Sequence, residues 1–424
     1  MAKWKIYTPE GVQDILIDDC YAKRNLEANL RTLFRRCAYQ EVETPTIEFY
    51  DVFSAEPGLT PQETMFKFFD QQGRILVLRP DITIPVVRMA TTKYRDVKGP
   101  LRVFYIGNMF RYDELGGGKQ KEFTQAGVEM LGAGSPEADA EIIATAINAL
   151  IVSGLENFQI DIGQVEFFKG LMEETGLSDE DAEQIRRLID KKDYIGVEEL
   201  VKQHDIKKDL KELILDLPKL FGSSNIIEKA KSASPNKKCL SALENLETVV
   251  EILKDYGFEK YVSIDLGMVK GLNYYTGIIF KGFTYGIGYP VLSGGRYDNL
   301  SELFGRKCPA TGFSLGVNML MMALDRQKIY MEKPGIDSLI CYRPEARKTA
   351  FDICRKLREQ GLAIEMAVNG ESAEDASAYA REKGIGGIIE IIDDDAICIH
   401  NLETGEKSNI SITEILKSAR KEQF

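Results

Sequence analysis

A chain of 424 residues, 44% hydrophobic and 28% charged, has the balance of an ordinary soluble globular protein and the length for two or more domains. Its formal charge of −12 argues against a dominant nucleic-acid surface, which must be basic to neutralise phosphates. Seven scattered cysteines without a CxxC pair, a charged N-terminus without an apolar signal core, and no apolar run near membrane-spanning length set aside a disulfide scaffold, a secreted chain and a membrane span. Free thiols in a reducing cytoplasm are expected. No metal is expected, zinc included: no thiolate pair stands close, and only His204 and His400 offer imidazole.

In chain order, Thr8 to Asp14 reads as an extended entry. From Asp18 to Cys37, apolar Tyr21, Leu26, Leu30, Leu33 and Phe34 recur at helical spacing, and Tyr39 to Pro45 follows as a short strand ended by proline. Glu63 to Leu78 reads as a hairpin turning at Asp70–Gly73. Arg79-Pro80-Asp81-Ile82-Thr83 then opens a helix, and Asp81 or Thr83 either caps it or binds a ligand.

The stretch from Leu101 to Leu131 is the most telling. An alternating run to Phe110, a polar loop holding Gly116, Gly117 and Gly118, and a second alternating run from Glu122 predict a long antiparallel hairpin. On the return strand Phe123, Gln125, Gly127 and Glu129 share one face, and Thr124, Ala126, Val128 and Met130 share the other. An amide and a carboxylate in line within an apolar sheet are costly to bury without partners. The face is therefore either solvent-exposed or the floor of a site.

Glu137 to Ser153 predicts a helix and Phe158 to Ile162 a strand. Phe167 to about Tyr256 is rich in Glu, Lys, Leu and Asp at helical spacing, a helical insertion, with Ser232–Asn236 as a loop. Strand character returns at Val262–Leu266, Gly277–Phe280, Gly288–Leu292 and Gly312–Gly316, and Val317–Asp325 is a helix. Gly294-Gly295 before Arg296 reads either as backbone freedom near a ligand or as an ordinary turn. A linker at 327–336 separates a first domain, 1–326, from an alternating α/β domain, 337–424. There Asp393-Asp394-Asp395 is a charged turn rather than a metal site.

Phe110-Arg111-Tyr112-Asp113, Glu122-Phe123, Gln125 and Glu129 resemble motif 2 of the class II aminoacyl-tRNA synthetases in its histidyl version. Lys270-Gly271-Leu272-Asn273-Tyr274-Tyr275-Thr276-Gly277 resembles that family's histidine-specific segment. Gly294-Gly295-Arg296-Tyr297-Asp298 and Gly312-Phe313-Ser314-Leu315-Gly316 follow in family order. The resemblance implies an α+β fold: a class II synthetase-like antiparallel sheet core with a helical insertion, plus a C-terminal α/β domain similar to an anticodon-binding domain. It further implies that the first helix and strand-Pro lie at a dimer interface.

For function, it implies a pocket for free histidine. Asp81, Thr83 and Gln125 would take the ammonium, Arg111 the carboxylate in a forked contact, and Glu129 with Tyr275 the imidazole, Tyr274 packing alongside and Lys270 nearby. The departures fall on the nucleotide side. The family's last motif carries Glu-Arg just past Gly316, where this chain has Asn318-Met319. Lys270 stands where the histidyl family has arginine, Asn273 replaces an aspartate, and the motif 2 loop carries Lys119 for arginine. Losing cations that stabilise developing phosphate charge removes roughly several kcal/mol from adenylation. From 337 to 424 there are 12 Lys+Arg against 17 Asp+Glu, which repels a phosphate backbone.

The pattern is identified with the non-synthetase branch, the regulatory subunits of ATP phosphoribosyltransferase. It implies no catalytic residue, no cofactor, a short-form catalytic subunit as partner, L-histidine as effector, and a homodimer within a hetero-oligomer. An active histidyl-tRNA synthetase, and a histidine sensor for another partner, are the alternatives.

Overall fold

The structure, a computed structural model, describes residues 3–54, 60–112, 120–269, 274–330, 333–393 and 396–411. The chain divides into two compact units, Met1–Met331 and Glu332–Phe424. The motif 2 loop, Lys270 to Asn273, and Asp394 and Asp395 lie outside the described residues. Among those described, no helix is long and apolar enough to cross a membrane.

The first unit opens with α1 (Ile17–Arg36), β1 (Gln40–Glu41), β2 (Ile47–Phe49), α2 (Asp51–Ser54), β3 (Lys67–Phe69), β4 (Ile75–Leu78) and α3 (Thr83–Lys93). Then come the predicted hairpin, β5 (Leu101–Phe110) and β6 (Glu122–Leu131), followed by α4 (Pro136–Val152) and β7 (Phe158–Gln164). Helices α5 (Val165–Thr175), α6 (Asp179–Asp190), α7 (Tyr194–Gln203) and α8 (Lys208–Asp216) follow, then a short β8 (Phe221–Gly222), α9 (Asn225–Ser232) and α10 (Lys237–Asp255). The unit closes with β9 (Val262–Asp265), β10 (Ile278–Thr284), β11 (Leu292–Arg296), β12 (Ala310–Gly316) and α11 (Val317–Arg326).

Nine strands form one sheet in the order β1-β5-β6-β12-β11-β10-β7-β9-β8. Its central pairs, from β5 through β7, are all antiparallel. The pleat separates two environments. Ala126, Val128 and Met130 of β6, with Phe313 of β12 and Phe280 of β10, join the apolar cluster that holds Leu26, Leu30 and Phe34 of α1 and Ile143 and Ile147 of α4. The opposite face carries Glu129, Gly312 and Gly295 in register across three strands, and beside them Tyr105 and Gly127 of β5 and β6. A smaller cluster built from α3, Tyr105 and Tyr297 covers that second face. β2, β4 and β3 make a separate three-stranded sheet.

Two expectations are corrected. Gly294-Gly295 is part of β11, and the strand starts at Leu292 rather than at Gly288. The reason is crowding: a Cβ on Gly294 would lie 2.4 Å from the Gly312 carbonyl oxygen, so two strands approach closely there. The strand placed at Tyr39–Pro45 shrinks to Gln40–Glu41, because only these two residues pair with β5, opposite Val103 and Phe104, before the Val42 N–H closes the ladder on the Phe104 carbonyl.

In the second unit, β13 (Ser338–Tyr342), α12 (Arg347–Glu359), β14 (Ile364–Met366), α13 (Ala373–Glu382), β15 (Gly387–Ile391), β16 (Ile397–Asn401) and β17 (Lys407–Ile410) alternate. The sheet order is β14-β13-β15-β16-β17. Alternation along β13 sends Ile340 into the cluster with α12, and Leu339 and Cys341 into the cluster with α13. The strand β17, Lys-Ser-Asn-Ile, carries no apolar alternation, which is why composition does not announce it; backbone pairing to β16 alone makes it.

Candidate functional site

Glu129 is the centre of the covered face. It is 1% exposed. The hydroxyl of Tyr297 donates to Oε2, and that of Tyr105 makes a longer contact, 3.4 Å, with Oε1. The carboxylate lies over Gly312, where a Cβ would meet Oε2 at 1.8 Å, so no residue larger than glycine fits opposite it on β12. Burial pushes its carboxyl up to about 8, helped by the charge of Asp81 and opposed by hydrogen bonds from Tyr297, Thr83 and Tyr105. The proton therefore stays on Glu129 at neutral pH.

Aromatic rings wall this carboxyl. Tyr274 stacks on Tyr297 with centroids 5.3 Å apart and planes 9° apart, and meets Tyr275 edge-on at 4.8 Å. The Tyr275 ring rests against Gly295. Desolvation raises all four phenols, Tyr105, Tyr274, Tyr275 and Tyr297, above their ordinary value, and so they remain neutral. Tyr274-Tyr275 is not a strand: it precedes β10 in irregular backbone.

The polar partners come from α3, β5 and β6. Thr83 Oγ1 lies 3.3 Å from the Tyr105 hydroxyl. The Asp81 carboxylate accepts the Ile84 N–H at 3.1 Å in the first turn of α3, so the capping alternative is realised. Its other oxygen lies 3.8 Å from Nη2 of Arg111. Arg111 donates from Nε to the Pro80 carbonyl at 2.7 Å and lies over the Phe123 ring, 5.8 Å from its centroid. Gln125 is 6% exposed, and its Oε1 is buried with no hydrogen-bond partner among the described residues. An unpartnered amide oxygen of this kind costs about 1–3 kcal/mol unless a donor arrives.

Seven candidate residues thus converge on one sheet face: Asp81, Thr83, Arg111, Gln125, Glu129, Tyr274 and Tyr275. Lys270 lies outside the described residues. A cation and an anion stand beside each other, as the two ends of an amino acid require. A buried donor-acceptor carboxyl stands behind them.

The position expected for a phosphate-binding cation is occupied differently. Asn318, in the first turn of α11, accepts the Thr124 N–H at 2.8 Å through Oδ1 and donates to Gln120 at 2.8 Å through Nδ2. Met319 packs against the core. Asn318 thus ties α11 to Thr124 of β6 and to Gln120 just before it. Arg296, from the Gly-Gly-Arg-Tyr-Asp segment, is likewise structural. It is 6% exposed, on the far face, bound to Asp139 at 2.9 Å and to Asp298 at 3.1 Å.

Tyr105 and Tyr297 were not singled out in the sequence as ligand-facing residues. Tyr105 had a signal: with Gln125 and Glu129 on a floor face, hairpin register places it opposite Gly127 on that same face. Tyr297 had none beyond its neighbours, since its partner is 168 residues away.

A family model described as histidyl-tRNA synthetase matches residues 11–320. An ATP phosphoribosyltransferase regulatory subunit from Acetivibrio thermocellus is 65% identical over 418 residues, 99% of this chain and 100% of that one. One from Ruminiclostridium cellulolyticum is 56% identical over the same shares. A crystal structure of an ATP phosphoribosyltransferase regulatory subunit/histidyl-tRNA synthetase from Bacillus halodurans C superposes with a TM-score of 0.81 at 32% identity, covering 92% of this chain and 98% of that one.

Proposed function

The chain belongs to the histidyl-tRNA synthetase-like family of ATP phosphoribosyltransferase regulatory subunits, and from that premise we propose that it is a non-catalytic histidine sensor. In this reading it forms a homodimer in the cytoplasm and assembles with a short-form catalytic subunit. It activates that subunit and inhibits it when histidine fills the pocket.

The observation that carries the reading is an asymmetry. The buried Glu129 with its tyrosines, the unpartnered Gln125 oxygen and the Asp81 carboxylate suit an imidazole and an ammonium. Asn318 and Met319, where a triphosphate would need positive charge, serve packing and hydrogen bonds to Thr124 of β6 and to Gln120. An amino-acid site without its phosphate clamp binds histidine but cannot stabilise the charge that develops during adenylation.

The imidazole contact follows from proton inventory. Neutral histidine brings one ring N–H and one acceptor nitrogen. Glu129 holds a proton, so its O–H donates to the acceptor nitrogen of the ring, and the ring N–H is left to meet a second acceptor. An isostere without the second nitrogen leaves the Glu129 O–H buried and unpaired, which the site rejects. Feedback then requires histidine to bind one state of the assembly better than another; equal affinity for both shifts nothing.

Reconstitution tests this. Adding the chain to the short-form catalytic subunit is expected to raise its condensation of ATP with phosphoribosyl pyrophosphate, and histidine to reverse the gain. In Glu129→Ala the histidine effect should vanish while activation remains. An unchanged rate in the reconstituted mixture removes the regulatory reading, and histidine-dependent ATP–pyrophosphate exchange by the chain alone establishes the synthetase instead.

A further inference from the structure

We propose that Glu390, Cys398 and His400, on one face of the β15–β16 pair in the second unit, form a binding site for a single zinc-class divalent ion. Linear spacing hides this site, because only the strand register brings the three side chains together. In that register Glu390 pairs with Cys398, and His400 pairs with Ile388. Cys398 and His400 are two apart on one strand and so share a face, and Glu390 lies directly opposite the first and diagonal to the second. One carboxylate oxygen, one thiol sulfur and one ring nitrogen all lie within 4.8 Å of one another.

The donor set selects the ion. A thiolate, an imidazole and a carboxylate together are borderline-soft; they suit zinc and its analogues cobalt and cadmium, and suit magnesium or calcium poorly. A tetrahedral zinc with bonds of about 2.0–2.3 Å sets its donors about 3.3–3.7 Å apart. The His400 Nε2 to Glu390 Oε2 separation is already 3.2 Å, so modest side-chain rotation closes the remaining gaps. Three protein donors leave a fourth position for water.

The surroundings favour a cation. The His400 side chain is 7% exposed and that of Glu390 26%. Cys341 of β13 is the neighbour of Glu390 on its other side. It is buried behind the ligand set. On the outer side β17 places Asn409 beside Cys398 and the exposed Lys407 beside His400. A half-buried carboxylate next to two cysteine sulfurs offers a divalent ion a partly desolvated anionic anchor.

Cobalt titration of the untagged full-length protein tests the site. One equivalent should produce tetrahedral visible bands and a near-ultraviolet thiolate-to-cobalt charge-transfer band. That band should disappear in Cys398→Ser. Zinc affinity, measured by competition with a chromophoric chelator, should fall at least tenfold in Cys398→Ser and in His400→Gln, and stay unchanged in His204→Gln. Should Cys398→Ser not fold, the wild type gives the same answer: zinc should protect Cys398 from alkylation, read by peptide mass. Absence of the charge-transfer band, its survival in folded Cys398→Ser, or unprotected Cys398 in saturating zinc overturns the proposal.

Discussion

In the proposed histidine pocket, Glu129 couples ligand chemistry to pH. Its carboxyl holds a proton up to about 8 in the folded chain, against an ordinary value of 4.5. Between those values the folded state binds more protons than the unfolded one, so stability falls as pH rises, by up to about 1.4 kcal/mol per pH unit, and levels off above 8. Glu129→Gln removes this dependence; thermal melts at pH 5 and pH 8 should show the variant gaining on the wild type at the higher pH. Histidine binding should follow the same proton. Below about 6.5 the free ligand is an imidazolium and the complex must shed a proton; above 8 it must take one up. Calorimetry should therefore find the highest affinity between those limits, falling toward tenfold per unit on either side. A flat profile from pH 5.5 to 9 would remove Glu129 as the imidazole partner. At this scale Gln125 and Glu129 were readable as odd polar residues in an apolar alternation, whereas Glu129's raised pKa was not, because burial is a property of the assembled sheet.

Asp81 belongs to an element as well as to the proposed pocket. Its carboxylate satisfies an N–H in the first turn of α3, and the same residue faces Arg111. The two roles separate under substitution. Asparagine caps as well as aspartate, so Asp81→Asn should melt within a degree or two of the wild type yet lose the stabilisation that saturating histidine gives. Asp81→Ala should lose both, at about 1 kcal/mol for the cap. If Asp81→Asn keeps the full histidine-induced shift in melting temperature, Asp81 is a cap and nothing more. The β5–β6 hairpin and its two faces were legible because a period of two needs only local sequence. The placement of β11 was not, because Gly294-Gly295 serves turns and close strand approaches alike, and only the neighbour on β12 decides between them.

For the molecule as a whole, the homodimer in our proposal has a surface to account for. Ile47 and Phe49 of β2 point the same way and are 48% and 45% exposed, on a chain whose net charge of −12 keeps copies apart unless apolar contact offsets it. Sedimentation should find a dimer at micromolar concentration, and Phe49→Asp should shift it toward monomer; a dimer indifferent to that change places the interface elsewhere. The sequence by itself determined what is local or compositional: the alternation of β5 and β6, the helical stretch between β7 and β9, the acidic balance, and Asn318-Met319 where the family resemblance implies a phosphate-binding cation. Only the tertiary structure decided which groups meet. Tyr297 reaches Glu129 across 168 residues, Gly312 yields the space the carboxylate occupies, and a strand pair brings Glu390 to Cys398 and His400. The physical reason is that side-chain periodicity is set by neighbours two to four residues away, while register between distant strands is set by which faces the whole chain buries.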